Sequence, residues 1–132
     1  MAHPIMFDDA DPILGRLRAL ALAFPDAAEK ISHGHPAFFT TKIFAYYGGS
    51  VKVDGAYQQH EHSVLVLIDA AEREALLEEE RCYVPAYLGA YGWIGVDLDH
   101  DVDWAEVNEL LDAGYRRTAG PRRVAALDSR GS

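Results

Sequence analysis

The sequence predicts an α+β domain in two layers, an antiparallel sheet of about five strands packed on helices. Two observations carry this reading. Capped, amphipathic helical segments occur at residues 11–24, 69–81 and 103–119, and three or four strand-like runs joined by short links lie between the first two. Strands that follow one another so closely pair antiparallel, because parallel neighbours need a crossover of roughly a dozen residues. A length of 132 residues suits one domain, 1–132, able to bury about two-thirds of its unfolded surface.

The first helix begins at Asp11, a good N-cap, with Pro12 in the first turn where its missing N–H is no loss. Ile13, Leu14, Leu17, Leu20, Ala21 and Phe24 recur at helical spacing, and Pro25 stops the helix at Phe24. Residues 27–47 then read as strands: AAEKISH, a turn at HGHP, and one or two more in AFFTTKIFAYY, rich in aromatic and β-branched residues. Gly48-Gly49 predicts a tight turn after Tyr47. SVKVDGAYQQHEH predicts a short edge strand, a turn at Asp54-Gly55 and a polar return, and Ser63–Ile68 a central strand.

Asp69-Ala-Ala-Glu72 is a capping box opening a helix to about Arg81, with Leu76 and Leu77 inward. Asp103-Trp-Ala-Glu106 is a second, and Trp104, Val107, Leu110, Leu111 and Tyr115 form its stripe until Gly120-Pro121. Phe38, Phe44, Trp104 and Leu111 are expected in the core. The tail RRVAALDSRGS reads as a short frayed segment. Between the last two helices, YVPAYLGAYGWIGVDL (83–98) is dense in rings. Tyr87 and Tyr91 share a face if the chain turns helically before Gly92, and Trp93–Leu98 is a strand with Ile94, Val96 and Leu98 on one face. Trp93 is expected to pack at the corner between sheet and helix.

Charge is unevenly spread. The net charge is −9, yet residues 1–115 balance at −13 and the last seventeen, with Arg116, Arg117, Arg122, Arg123 and Arg130 against Asp128, at +4. An acidic body repels phosphate backbones at long range, while a local basic patch still binds them. Cations also favour helix C-termini, which explains the arginines structurally. One cysteine, Cys82, excludes an intramolecular disulfide and a multi-cysteine metal site. With no apolar run near the roughly 18 residues of a membrane span, and no basic-then-apolar start, a cytoplasmic protein without a membrane partner is expected.

Candidate chemistry is sparse. The pairs His33/His35 and His60/His62, two apart, would share a face on a strand and could ligate a metal together with His100 and the nearby aspartates. The first pair sits in a predicted turn and the second in a predicted loop, so solvated histidines are the simpler account. Asp97–Asp103 resembles a calcium loop but places Val102 where glycine is needed and Asn108 where a bidentate glutamate is needed. No serine sits in a nucleophile elbow. Arg81 could lower the Cys82 pKa, although a lone cysteine at a helix end is more often a small hydrophobe. Gly89, Gly92 and Gly95 lead into a strand and so lack the cradle of a phosphate loop. Neither an enzyme nor a cofactor is expected.

Six short motifs run in order over residues 11–118: Gly34-His-Pro-Ala-Phe38, Lys42-Ile-Phe44-Ala45, Val64-Leu-Val-Leu67 before the Asp69 helix, Pro85-Ala-Tyr87-Leu88, Gly92-Trp93-Ile94, and Leu110-Leu111-x-x-x-Tyr115. In order and spacing they resemble the MmcQ/YjbR family of small bacterial proteins, with 119–132 as a tail. The resemblance implies a two-layer α+β fold of the secretion-chaperone-like type. It also implies DNA binding, the label family members commonly carry, through a double-wing arrangement of strands and loops. In this chain the wing segment, Gly48 to His62, has Lys52 as its one fixed cation against Asp54 and Glu61, a departure where phosphate contact needs Lys or Arg.

The expected function is therefore a non-enzymatic binding module. Nucleic acid is the partner the resemblance implies, and a protein or small ligand held chaperone-fashion on aromatic surface is the alternative. Lys42, Tyr87, Tyr91, Trp93, Arg116 and Arg117 are the candidate binding residues, with no catalytic residue and no metal site.

Overall fold

The structure is a computed structural model that describes residues 5–99 and 101–130. Helix α1 (Pro12–Leu22) is followed by β1 (Ala28–Ser32), β2 (His35–Phe39), β3 (Ile43–Val53) and β4 (Ala56–Leu67). Then come α2 (Ala70–Leu76), β5 (Cys82–Tyr83), a 3-10 turn (Leu88–Tyr91), β6 (Trp93–Asp97), α3 (Trp104–Thr118) and α4 (Pro121–Arg130). The six strands form one sheet in the order β1-β2-β3-β4-β6-β5, every neighbouring pair antiparallel. Five strands were expected; the sixth is the two-residue β5 at the edge. Val64 lies opposite Val96 and Val66 opposite Ile94, so the apolar runs of β4 and β6 meet at the centre.

The turns follow their residues. His33-Gly34 and Asp54-Gly55 have positive φ at both positions and close two-residue hairpins, the turn whose twist matches the strands it joins. Asp11, Asp69 and Asp103 each accept backbone amides at the start of their helices, as capping residues should.

All four helices lie against one face of the sheet. Leu14, Leu17 and Ala21 of α1, Val107, Leu110, Leu111 and Tyr115 of α3, and the inward residues of β2, β3, β4 and β6 make one core. Leu76, Leu77 and, from α4, Leu127 pack on it. Removing such a side chain from water is worth about 1.5–3 kcal/mol each. Phe44 is wedged edge-on between Phe24 (5.8 Å) and Tyr115 (5.3 Å), and the Tyr115 hydroxyl donates to the Pro25 carbonyl at 2.6 Å. Helix α3 comes this close because residue 114 is glycine: a Cβ there would stand 2.9 Å from the Phe44 carbonyl oxygen.

Four expectations are corrected. Gly48-Gly49 is not a turn, since β3 runs through it to Val53; the glycines serve a bulge and a close approach of side chains. Helix α2 ends at Leu76 instead of about Arg81, before the run Glu78-Glu79-Glu80, which carries no inward apolar residue. The described part of the C-terminal tail is not frayed, because Pro121 starts α4, held by Arg130 on the Ala23 carbonyl (2.6 Å) and Arg116 on Asp128 (2.7 Å). Trp104, expected in the core, is only half-buried at its margin, with the Arg16 guanidinium 5.2 Å from its ring. Phe38, Phe44 and Leu111 are fully buried. No helix of the described residues is long and apolar enough to cross a membrane.

Gly114→Ala should destabilise the fold by about 1–3 kcal/mol by forcing α3 off β3. A urea midpoint within error of wild type would show that the helix can slide without loss.

Candidate functional site

The face of the sheet away from the helices carries a second, smaller cluster of Leu65, Tyr83 and Trp93, with Tyr46, Val51, Leu67 and Leu88 packed beside it. Its foundation is the lack of a side chain at residue 95. A Cβ on Gly95 would lie 2.3 Å from the Tyr83 ring, and one on Gly49 would lie 2.7 Å from the Tyr83 hydroxyl. The ring therefore lies across bare backbone, with its hydroxyl 2.7 Å from the buried Ser63 hydroxyl, which donates to the His60 carbonyl at 2.8 Å. Burial pushes the Tyr83 phenol well above its ordinary pKa.

From Tyr83 the chain crosses this face as a strap, residues 84–91. The Ala86 amide donates to the Ser50 carbonyl of β3 at 2.7 Å, and Arg73 of α2 holds the far end through the carbonyls of Gly89 (3.2 Å) and Trp93 (3.1 Å). At Tyr87 the backbone takes φ 64 and ψ −61, a three-residue γ-turn closed by the Leu88 amide on the Ala86 carbonyl (2.7 Å). This form of the turn is rare and strained for any residue with a side chain. The strain holds an exposed ring: Tyr87 stacks on Tyr57 at 6.1 Å, their hydroxyls 2.7 Å apart, and that bond raises the Tyr87 pKa.

Under strap and hairpin lies a cleft of about 680 Å³, walled by Tyr46, Tyr57 and Tyr87, floored by Leu65 and Leu88, and reached by His33, His35, Ser50 and Gln59. Tyr46 is fixed edge-on against Trp93 at 5.4 Å. His35 lies against the open side of Gly48, and among the described residues its Nδ1 has no hydrogen-bond partner. Burial lowers the His35 pKa and so favours a neutral ring, outweighing a hydrogen bond to the Tyr47 backbone that raises it.

A second cleft, about 650 Å³, opens where α1 meets the hairpin. Asp11 accepts from the Tyr47 hydroxyl and lies 2.9 Å from His62 Nδ1, while its other oxygen caps α1 at the Ile13 amide. Burial would raise the Asp11 pKa, but the bonds from Tyr47 and Ile13 and the neighbouring His62 outweigh it and hold the carboxyl below its ordinary value. Burial first, then Asp11, push the Tyr47 phenol far up.

The histidine pair at 60 and 62 does not share a face. Tyr47 pairs with Val64 and Gly49 with His60, so three β4 residues bulge opposite Gly48 alone. His60 stacks on Tyr83 at 4.0 Å and bonds Asp97 at 2.8 Å, whereas His62 turns to Tyr47 and Asp11. Among the described residues no group of three His, Cys, Asp or Glu side chains is placed to hold a metal; His100 lies outside them. Burial pushes the Cys82 thiol up to about 11 despite Arg81, whose guanidinium is engaged by Glu79 and Glu106.

The six candidate residues fall in two places. Tyr87 and Tyr91 stand exposed on the strap, and Trp93 is buried beneath it as support for Tyr46, so it is packing and not contact surface. Lys42, Arg116 and Arg117 lie at the other end, exposed. There Arg116 is clamped by Asp112 (2.6 Å) and Asp128 (2.7 Å), and Asp26 takes Arg123 (3.1 Å) and Arg122 (3.6 Å). Arg123 also reaches Thr41, beside Lys42, at 3.3 Å. The sequence reading missed Tyr46, Tyr57, His35 and Gln59 as cleft residues. Tyr46 lies in an aromatic run read only as strand, and Tyr57 and Gln59 in a polar return read only as loop.

The YjbR family profile matches residues 22–117, most of the chain and all six strands. The chain belongs to the YjbR family. A crystal structure from Deinococcus radiodurans, of a protein described with a DUF419 family domain, superposes with a TM-score of 0.59 at 17% identity, covering 89% of this chain and 86% of that one. At that identity it shows a shared fold for this YjbR chain and nothing of its chemistry. No match was found among curated proteins.

Two measurements test these sites. Tyr87→Gly should be more stable than Tyr87→Ala in urea, the reverse of the ordinary order, because only glycine adopts this γ-turn without strain; alanine at or above glycine would mean the turn relaxes. For Asp11, a folded pKa below the ordinary 3.8 contributes stability that is complete above that value and lost as pH falls through the folded one. Asp11→Asn keeps the cap and removes the charge, so its urea midpoint should fall less steeply than wild type as pH drops from about 5 to about 2. Parallel curves would mean the Tyr47 and His62 contacts add nothing.

Proposed function

We propose that this YjbR protein is a non-enzymatic binding module whose ligand surface is the cleft on the open sheet face, and that it holds a small molecule in preference to duplex DNA. The observation that carries this is Tyr87, an exposed ring held at the cleft rim by a strained backbone turn. Strain of this kind persists where surrounding structure enforces it, and it clusters at ligand clamps. A rigid cleft of this size, lined by rings with a few polar groups, has the usual character of a small-molecule site.

The charge distribution supports the choice against DNA. Of the arginines in the basic tail, Arg116, Arg122 and Arg123 are already paired with aspartates, so a phosphate contact at any of these three would first have to break an ion pair. The β3–β4 hairpin, the segment a wing would use, offers Lys52, and that ammonium lies 5.9 Å from the Tyr57 ring.

Two titrations test the proposal. NMR shift mapping with a fragment library should gather its perturbations on Tyr46, Tyr57, Gln59 and Leu88; perturbations gathered on α3 and α4 would overturn it. Duplex DNA should bind no tighter than ~10⁻⁴ M at physiological salt. Sub-micromolar binding that weakens steeply with salt, and whose slope Arg116→Ala with Arg117→Ala flattens by about two units, would restore the DNA reading.

A further inference from the structure

Given that the open-face cleft is the binding surface, the geometry points to the class of its ligand: an uncharged, flat molecule with hydrogen-bonding groups on its edge, seated against Tyr46 and covered by the Tyr57–Tyr87 pair. The electrostatics of the lining select an uncharged ligand. In a chain of net charge −9, no Asp, Glu, Lys or Arg among the described residues lines this cleft of about 680 Å³; His33 and His35 reach it, and burial favours the neutral form of His35. Lys52 stays outside, over Tyr57. A phosphate or carboxylate carried into the cleft would shed water and meet no fixed cation on its described lining, and an ammonium would meet no carboxylate, which costs far more than burying a neutral group that finds hydrogen bonds.

The shape of the walls selects a flat one. Tyr46 is held by Trp93 and has little freedom left to lose, while Tyr57 and Tyr87 lie nearly parallel at 23°, so the walls are planar rings. Flat rings match flat ligands, and aromatic pairs add about 0.5–1.5 kcal/mol beyond the area they bury. Leu65 and Leu88 complete an apolar floor. Ser50 and Gln59 bring a hydroxyl and an amide, each able to donate and to accept, so the ligand edge needs neutral polar groups of either kind. Covering the ligand requires parting one phenol–phenol hydrogen bond, between two exposed residues, and the Tyr87 turn is already strained toward another conformation.

The test uses two dyes with one skeleton. N-phenyl-1-naphthylamine is neutral, and 1-anilinonaphthalene-8-sulfonate is the same framework bearing a sulfonate. Fluorescence titration of the full chain should show the neutral dye at one site, at least about tenfold tighter than the anion, the penalty for an unpaired buried charge. Because a neutral dye also favours any apolar patch, two variants locate it. Tyr46→Ala should weaken the neutral dye several-fold. Gln59→Arg, a change at an exposed strand position that leaves packing intact, should shift the preference toward the sulfonate by about tenfold through a new charge-assisted contact. A wild-type preference for the sulfonate would overturn the ligand class while leaving the cleft as the site. Failure of both dyes to bind, or binding indifferent to Tyr46→Ala and Gln59→Arg alike, would overturn the cleft reading itself.

Discussion

Tyr83 lies over backbone that has no side chains to meet it, and its hydroxyl is shared with the buried Ser63 hydroxyl at 2.7 Å. Much of the open face depends on that contact. Strand β5 is two residues long and pairs with β6 alone, too little to hold an edge by backbone bonds. The ring supplies the rest by filling the space over Gly95 and Gly49, where any larger residue would lift it. His60 stacks on it, and the bulge in β4 that separates His60 from His62 leaves the His60 carbonyl free to accept from Ser63. The strap begins at the next residue, so its height above the sheet, and with it the depth of the cleft, is set by one aromatic ring on two glycines.

The same contact shows why the site was harder to read than the fold. Periodicity marks α1, α3, the β4 core and the Ile94–Val96–Leu98 face, because each buries a stripe against one layer of helices. Caps and the Asp54-Gly55 turn are local chemistry and equally visible. Gly48-Gly49 misled because a glycine pair signals a turn when read locally; here the reason lies in Tyr83 and His35, far along the chain or across the sheet. Gly114 was silent for the same reason, since its meaning is the Phe44 carbonyl opposite. Tyr87 and Tyr91 stood out as rings, but a γ-turn at Tyr87 has no sequence signature. Tyr57 acquires a role only when the strap folds back on it.

At the opposite end the chain neutralises itself. The +4 tail and the −13 body are in contact in the folded protein: Asp26, at the end of the segment after α1, receives Arg122 and Arg123, and Asp112 and Asp128 bracket Arg116. Exposed pairs of this kind add little stability each. Their effect here is to fasten α4 to the helix layer and to remove much of the positive field that the sequence, read linearly, places there.

The two tryptophans fall one to each layer. Trp93 lies beneath the strap against Tyr46, while Trp104 sits at the margin of the helix layer under the Arg16 guanidinium. One indole is dry and ring-packed, the other half-wetted beside a cation, so their emission should differ in colour and in quenching. The protein thus carries an intrinsic optical label on each side of its sheet. Loosening of the strap and loosening of α1 against α3 become separable events in one spectrum, without any label being added.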